Sequence, residues 1–211
     1  MPDRTPARQR QTRVAQQAET RTRLLDAAET LFAASGIGQT SIEEICEAAG
    51  YSRGAFYSNF SDRDDLVMSL LQRHQQRSMD EVSDIFDQGP ERFIDGLMDR
   101  ELRTPDERAA ASMEYVLYAT RSEAGRARLR ELYRGLADQM GDLAMASLSQ
   151  LDAAETTTSD QAAKILLALD EGFALLRLID PERYPTGIWG ETVQFLAEAV
   201  VAMAERDRQQ N

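Results

Sequence analysis

A chain of 211 residues, 42% of them hydrophobic, is long enough for one compact domain or for a small domain plus a larger one, each with its own core. The single cysteine excludes an intrachain disulfide, and one cysteine with one histidine cannot build a zinc site from the usual ligands. A formal charge of -12 looks wrong for a nucleic-acid binder until it is divided: residues 1–63 hold eight arginines and eight acids, whereas residues 64–211 carry the whole -12.

Residues 1–19 read as a flexible basic arm. Six arginines against two acids give residues 1–23 a net +4, which fits either salt-dependent attraction to phosphates or a disordered solubilising tail. No apolar core segment follows the arm, and the most apolar stretch, residues 164–179, is interrupted by Asp170, Glu171 and Arg177. Neither a signal peptide nor a membrane span is expected, and the expected location is cytoplasmic. Thr20 to Gly36 predicts a helix with Leu24, Leu25, Ala28, Leu31 and Phe32 turned inward.

The stretch TSIEEICEAAGYSRGAFYSNF, Thr40 to Phe60, predicts two short helices around a tight turn. In the first, Ile42, Ile45, Cys46 and Ala49 share one face while Glu43, Glu44 and Glu47 occupy the other. Thr40 or Ser41 is placed to cap it, and the early acids suit the helix dipole. Gly50 supplies a left-handed turn, and Ser52 caps a second helix that begins at Arg53. There Gly54 and Ala55 let the backbone approach a groove, Arg53 can reach a base edge, and Tyr57 and Asn59 can reach phosphates. Phe56 and Phe60, four apart, would face inward. This is the local plan of a helix-turn-helix. The competing reading is an ordinary helical hairpin with a chance serine-arginine pair.

Beyond residue 61 the punctuation at Gly89-Pro90, Thr104-Pro105, 123–125, 155–159 and 181–187 predicts six further helices. They run over about 62–87, 91–102, 105–122, 125–153, 159–180 and 187–207, so nine helices are expected in all. Residues 91–153 contribute Phe93, Met98, Met113, Tyr115, Tyr118, Tyr133, Met140 and Met145, which could line an apolar effector cavity or serve as plain core. The last two helices are apolar over more than half their circumference. Ile165, Leu169, Phe173 and Leu176 make one stripe, and Trp189, Val193, Leu196, Val200 and Met203 another. Two such helices from each subunit would close a four-helix bundle across a two-fold axis, the alternative being intrachain core. His74 receives no role.

Several of these segments resemble the N-terminal domain of the TetR family of transcriptional regulators. They are TRTRLLDAAETLFAASG, the Thr-Ser-Ile opening, Ala-Ala-Gly, Ser-Arg-Gly, Tyr-Ser-Asn-Phe and SDRDDL from Ser61 to Leu66, over roughly residues 20–66. The resemblance implies an all-α, nine-helix architecture, with a helix-turn-helix domain over residues 20–61 and an effector-binding and dimerisation domain over residues 62–211. By position it implies phosphate contacts at Thr40 and Asn59, the principal base contact at Arg53 and a groove-facing edge at Gly54 and Ala55. Tyr57 would pack against the DNA backbone, and Arg63 takes the place of the usual lysine opening the fourth helix. Tyr51, Cys46 and Asp62 depart from the common valine, alanine and small polar residue, and Asp62 puts a negative charge beside the contact expected of Arg63.

The expected function is a ligand-responsive homodimeric regulator, most simply a repressor released from a palindromic double-stranded operator by a small, largely apolar molecule. Its DNA contacts would be Thr40, Ser41, Ser52, Arg53, Gly54, Ala55, Tyr57, Asn59 and Arg63. Its dimer interface would hold Ile165, Leu169, Phe173, Leu176, Val193, Leu196, Val200 and Met203. A constitutive DNA binder without an effector is the alternative. An all-helical enzyme finds little support: no catalytic residue, cofactor or metal is assigned, since Glu43 with Glu47 and Asp64 with Asp65 are explained by a solvent face and a helix N-terminus.

Overall fold

The computed structural model of the protein describes residues 6–88, 96 and 106–210, with side chains described over 14–88, at 96 and over 109–210. The regular elements among them are all helical: α1 (Pro6–Ser35), α2 (Ile42–Ala49), α3 (Arg53–Tyr57), α4 (Arg63–Phe86), α5 (Asp106–Ala119), α6 (Glu123–Gln150), a 3₁₀ turn (Ala154–Thr156), α7 (Ser159–Ile179) and α8 (Ile188–Gln210). This is the all-α architecture expected. Two differences from the sequence reading concern extent. Helix α1 begins at Pro6, so residues 6–19 continue it upstream of Thr20. The helix expected over 91–102 lies outside the described residues, apart from Gly96, which is helical.

The short helices are fixed by their ends. Ser41 and Glu44 form a reciprocal capping box on α2: the Glu44 amide donates to the Ser41 hydroxyl at 3.1 Å, and the Ser41 amide donates to the Glu44 carboxylate at 2.7 Å. The Ser41 amide and then the Ser41 hydroxyl, each donating to the carboxylate at 2.7 Å, hold the Glu44 carboxyl below the usual carboxylate range. Gly50, at φ 74, ends α2 in the left-handed conformation that a β-carbon disfavours. Two residues on, Ser52 caps α3 by accepting from the Ala55 amide at 3.3 Å. Asp62 does the same for α4, accepting from the Asp65 amide at 2.7 Å.

One continuous core joins the first five helices. Leu24, Ala28, Phe32, Ile37, Ile45, Phe56, Phe60, Leu66 and Leu70 are buried together with Tyr115 of α5, whose ring meets Phe32 edge-on at 6.3 Å. Each fully buried Phe or Leu contributes roughly 1.5–3 kcal/mol, so α3, only five residues long, depends on its neighbours for stability. Helices α6 and α7 pack closely because Gly141 leaves room for the start of α7. A β-carbon at Gly141 would sit 2.8 Å from the Ser159 carbonyl oxygen. A second, smaller cluster places Ile85 of α4 and Trp189 of α8 against Val82, Leu169, Phe173 and Val193.

Candidate DNA-reading face and effector cavity

Helix α3 carries its polar groups on the outer edge because Phe56 and Phe60 anchor the inner one. Both phenylalanines are buried, as their spacing implied, and their rings lie 5.4 Å apart. Arg53, Gly54 and Tyr57 are exposed and Ala55 is half-buried. The Arg53 guanidinium pairs with the Glu43 carboxylate of α2 at 2.7 Å and reaches the Tyr57 hydroxyl at 3.5 Å. The Tyr57 contact, and then the Glu43 charge, hold Arg53 in its charged form. The guanidinium is thereby presented from the N-terminal end of α3, beside Glu43 and Tyr57.

Other expected contacts are engaged inside the domain. Thr40 is only 3% exposed, and its hydroxyl donates to the Gly36 carbonyl at 3.0 Å. Asn59 turns its amide back to donate to the Ala55 carbonyl at 2.8 Å, and its side-chain oxygen is buried without a hydrogen-bond partner. Ser41 and Ser52 serve as the caps already described. Arg63 is half-buried and donates to the Ile37 carbonyl at 3.4 Å.

The sequence reading missed two supports of this face. Arg21, counted there as part of a basic arm, donates to the Asn59 carbonyl at 2.8 Å and to the Ser69 hydroxyl at 2.7 Å, and lies over the Phe60 ring at 4.3 Å. Gln17 donates to the Ser58 carbonyl at 3.3 Å. Both reach carbonyls just beyond the end of α3, where a donor or a positive charge complements the helix terminus. The available signal was the pairing of Arg21 and Gln17 on one face of an upstream helix.

Helices α4 to α8 line a cavity of about 380 Å³. Met113, Tyr133 and Met140, three of the candidate effector residues, line it. Tyr115 belongs instead to the core, where burial pushes its hydroxyl well above the ordinary tyrosine range. Tyr118 points elsewhere and donates to the Asp64 carboxylate at 2.9 Å. Phe93 and Met98 lie outside the described residues. Of the expected dimer residues, Ile165, Phe173, Val193, Leu196 and Val200 line the cavity, while Leu169, Phe173 and Val193 pack on the Ile85 and Trp189 cluster. Ile165 and Met203 are exposed, and Leu176 is half-buried. Leu175, Leu178, Ile179 and Phe195 add to the exposed apolar surface of α7 and α8.

Helix α4 connects the two regions. Arg73 pairs with Asp26 at 2.6 Å and with Glu29, both on α1. His74 is buried at the cavity wall, with Nε2 2.6 Å from the Glu29 carboxylate and Nδ1 3.1 Å from the Ser112 hydroxyl of α5. A carboxylate only accepts, so Nε2 carries a proton and donates to Glu29.

Residues 24–70 match the family model for bacterial regulatory proteins of the tetR family. The chain is 46% identical over 52 residues to the HTH-type transcriptional regulator AcrR of Shigella flexneri, a stretch covering 25% of this chain and 24% of that protein. It is 42% identical over 53 residues to the HTH-type transcriptional regulator TtgR of Pseudomonas putida, covering 25% of each. These matches therefore span about a quarter of the curated relatives' length. The fold agrees over much more of the chain. SmeT, the repressor of the Stenotrophomonas maltophilia multidrug efflux pump SmeDEF, superposes with a TM-score of 0.63 at 25% identity over 86% of this chain and 91% of SmeT. Its complex with triclosan gives 0.65 at 24% identity, over 85% of this chain and 90% of SmeT.

Proposed function

We propose that this chain, whose N-terminal domain belongs to the TetR family of bacterial regulators, is a homodimeric transcriptional repressor that an amphipathic small molecule releases from a palindromic operator. The observation that carries the DNA half is the α2-turn-α3 unit, which holds Arg53, Gly54 and Tyr57 outward on an edge anchored by Phe56 and Phe60. An exposed, oriented arginine at the start of such a helix suits a bidentate contact to guanine. The acidic remainder of the chain is kept off the DNA if residues 20–61 form the reading unit and residues 62–211 the effector and dimerisation domain.

The release half rests on the mostly apolar cavity and on α4, which both lines it and bonds to α1. The fold shared with SmeT, a repressor also solved with triclosan, favours the same reading. Random-sequence DNA selection followed by fluorescence anisotropy with Arg53→Ala tests the reading. Selection should enrich an inverted repeat. Arg53→Ala should cost roughly ten- to a hundred-fold on that repeat and little on unrelated DNA. No enrichment from the random pool would sink the proposal, and equal losses on both DNAs would reduce Arg53 to a phosphate contact.

A further inference from the structure

The cavity wall is mostly apolar, with His74, Ser78 and Ser112 on one side, Arg177 further along α7, and one polar cluster where α4, α6 and α7 meet. There Tyr133 of α6 donates its single proton to the Glu171 carboxylate of α7 at 2.7 Å, and the Gln75 side chain of α4 lies beside the Tyr133 oxygen. The bond to Glu171 uses up the tyrosine's proton and leaves acceptors on residues of the cavity wall. One is the Gln75 side-chain oxygen, which is buried with no hydrogen-bond partner. The others are the remaining lone pairs of Glu171. A buried acceptor left unmatched is costly, so an occupant that supplies a donor there gains more than one that merely fills space.

The local charge points the same way. The groups acting on the Glu171 carboxyl are burial first, then the Tyr133 hydroxyl, then the like charge of the adjacent Asp170. Among the described residues no cation acts on it. Arg177 also lines the cavity, but it lies six residues along α7, roughly 9 Å at the rise of a helix. The mouth of Glu171 is thus a low-dielectric acidic pole with its donors already used. It sits in a wall otherwise made of side chains such as Met79, Met113, Leu136, Met140 and Phe173.

We infer that the Gln75, Tyr133 and Glu171 cluster is a recognition site for a protonated amine, and that the cavity takes an amphiphile with an apolar body and one cationic nitrogen. The inference rests on the proposed effector role of this cavity and specifies its ligand class. The ammonium donates to Glu171 and to the Gln75 oxygen, and the apolar body lies along α6 and α7. Charge-assisted bonds of this kind outweigh the neutral equivalents by about ten-fold or more in affinity.

The test is isothermal titration calorimetry on the full chain with three probes of one shape: naphthylbutylamine, naphthylbutanol and naphthylbutanoic acid. The amine should bind about ten-fold or more tightly than the alcohol, and the acid most weakly. Glu171→Gln keeps the size of the side chain and an oxygen for Tyr133, and should erase the amine's advantage while leaving the alcohol's affinity within about two-fold. Equal binding of amine and alcohol, an undiminished advantage in Glu171→Gln, or no binding of any probe would overturn the assignment. The effector role fails separately: an amine that binds with the expected preference yet leaves operator affinity unchanged establishes the site and removes the cavity from DNA release.

Discussion

At the scale of single residues, Arg53 is held by an acid before any DNA arrives. The Glu43 carboxylate at 2.7 Å orients the guanidinium but also competes with guanine and phosphate for it. Glu43→Gln should therefore raise affinity for unrelated DNA by up to about five-fold, the scale of an exposed ion pair, and narrow the gap between operator and non-operator binding. Anisotropy titrations on both DNAs over a salt series measure this, and an unchanged ratio would mean that Glu43 is a bystander. Glu171 makes a prediction about pH. Its folded-state pKa is raised, chiefly by burial, so the stability it gives is present in acid, below the ordinary glutamate range, and is lost as pH rises through the raised value. Glu171→Gln should accordingly stabilise the protein at neutral pH relative to the unmodified chain and lose that advantage in mild acid. Thermal melts at both pH values check the sign. Arg53 was legible in sequence because its place beside Ser52 and Gly54 is a motif in itself. Glu171 was not, since only the fold brings Tyr133 and Gln75, far away in the chain, to its side.

At the scale of elements, the caps predicted the short helices well and the apolar stripes predicted their inner faces. Ser52 and Gly50 marked the turn because each has a specific local job that a neighbouring residue could not perform. The upstream reach of α1 escaped detection because residues 6–19 lack an apolar stripe. The polar bonds of Gln17 and Arg21 to the carbonyls beyond α3 hold the nearer part of that segment instead. The same architecture makes α3 fragile. Phe56→Ala should destabilise the protein by about 3–5 kcal/mol, and Ser52→Ala by about 1 kcal/mol. In urea unfolding the order of the two losses is the test. A Phe56→Ala loss no larger than that of Ser52→Ala would show that α3 is not anchored from within.

At the scale of the whole molecule, periodicity located the apolar faces of α7 and α8 but could not divide them. Core, cavity wall and subunit interface all require the same side chains at the same spacing, and only packing tells them apart. Leu169 meets Trp189 and Ile85 within the chain, Val200 lines the cavity, and Phe195 and Met203 are 68% and 52% exposed. An exposed apolar strip of this kind marks an association surface. Phe195→Asp should convert a dimer to a monomer by light scattering with the helical circular dichroism retained. Leu169→Asp should lower the thermal midpoint instead, because it puts a charge into a packed cluster. A monomeric unmodified protein at micromolar concentration would remove the dimer and the inverted-repeat operator with it.

Helix α4 is bonded to α1 through Arg73 and His74 and to α5 through Asp64, while its rear half walls the cavity. Its 24 residues make a lever arm of about 36 Å. A tilt of about 5° at the cavity end carries the other end by about 3 Å, close to the rise of one base-pair step. In a symmetric pair the two displacements run in opposite senses and add. If the proposed function holds, a ligand that wedges the rear of α4 by a few degrees would put the two heads a base-pair step or two out of phase with their half-sites, and a small cavity would govern a long stretch of DNA.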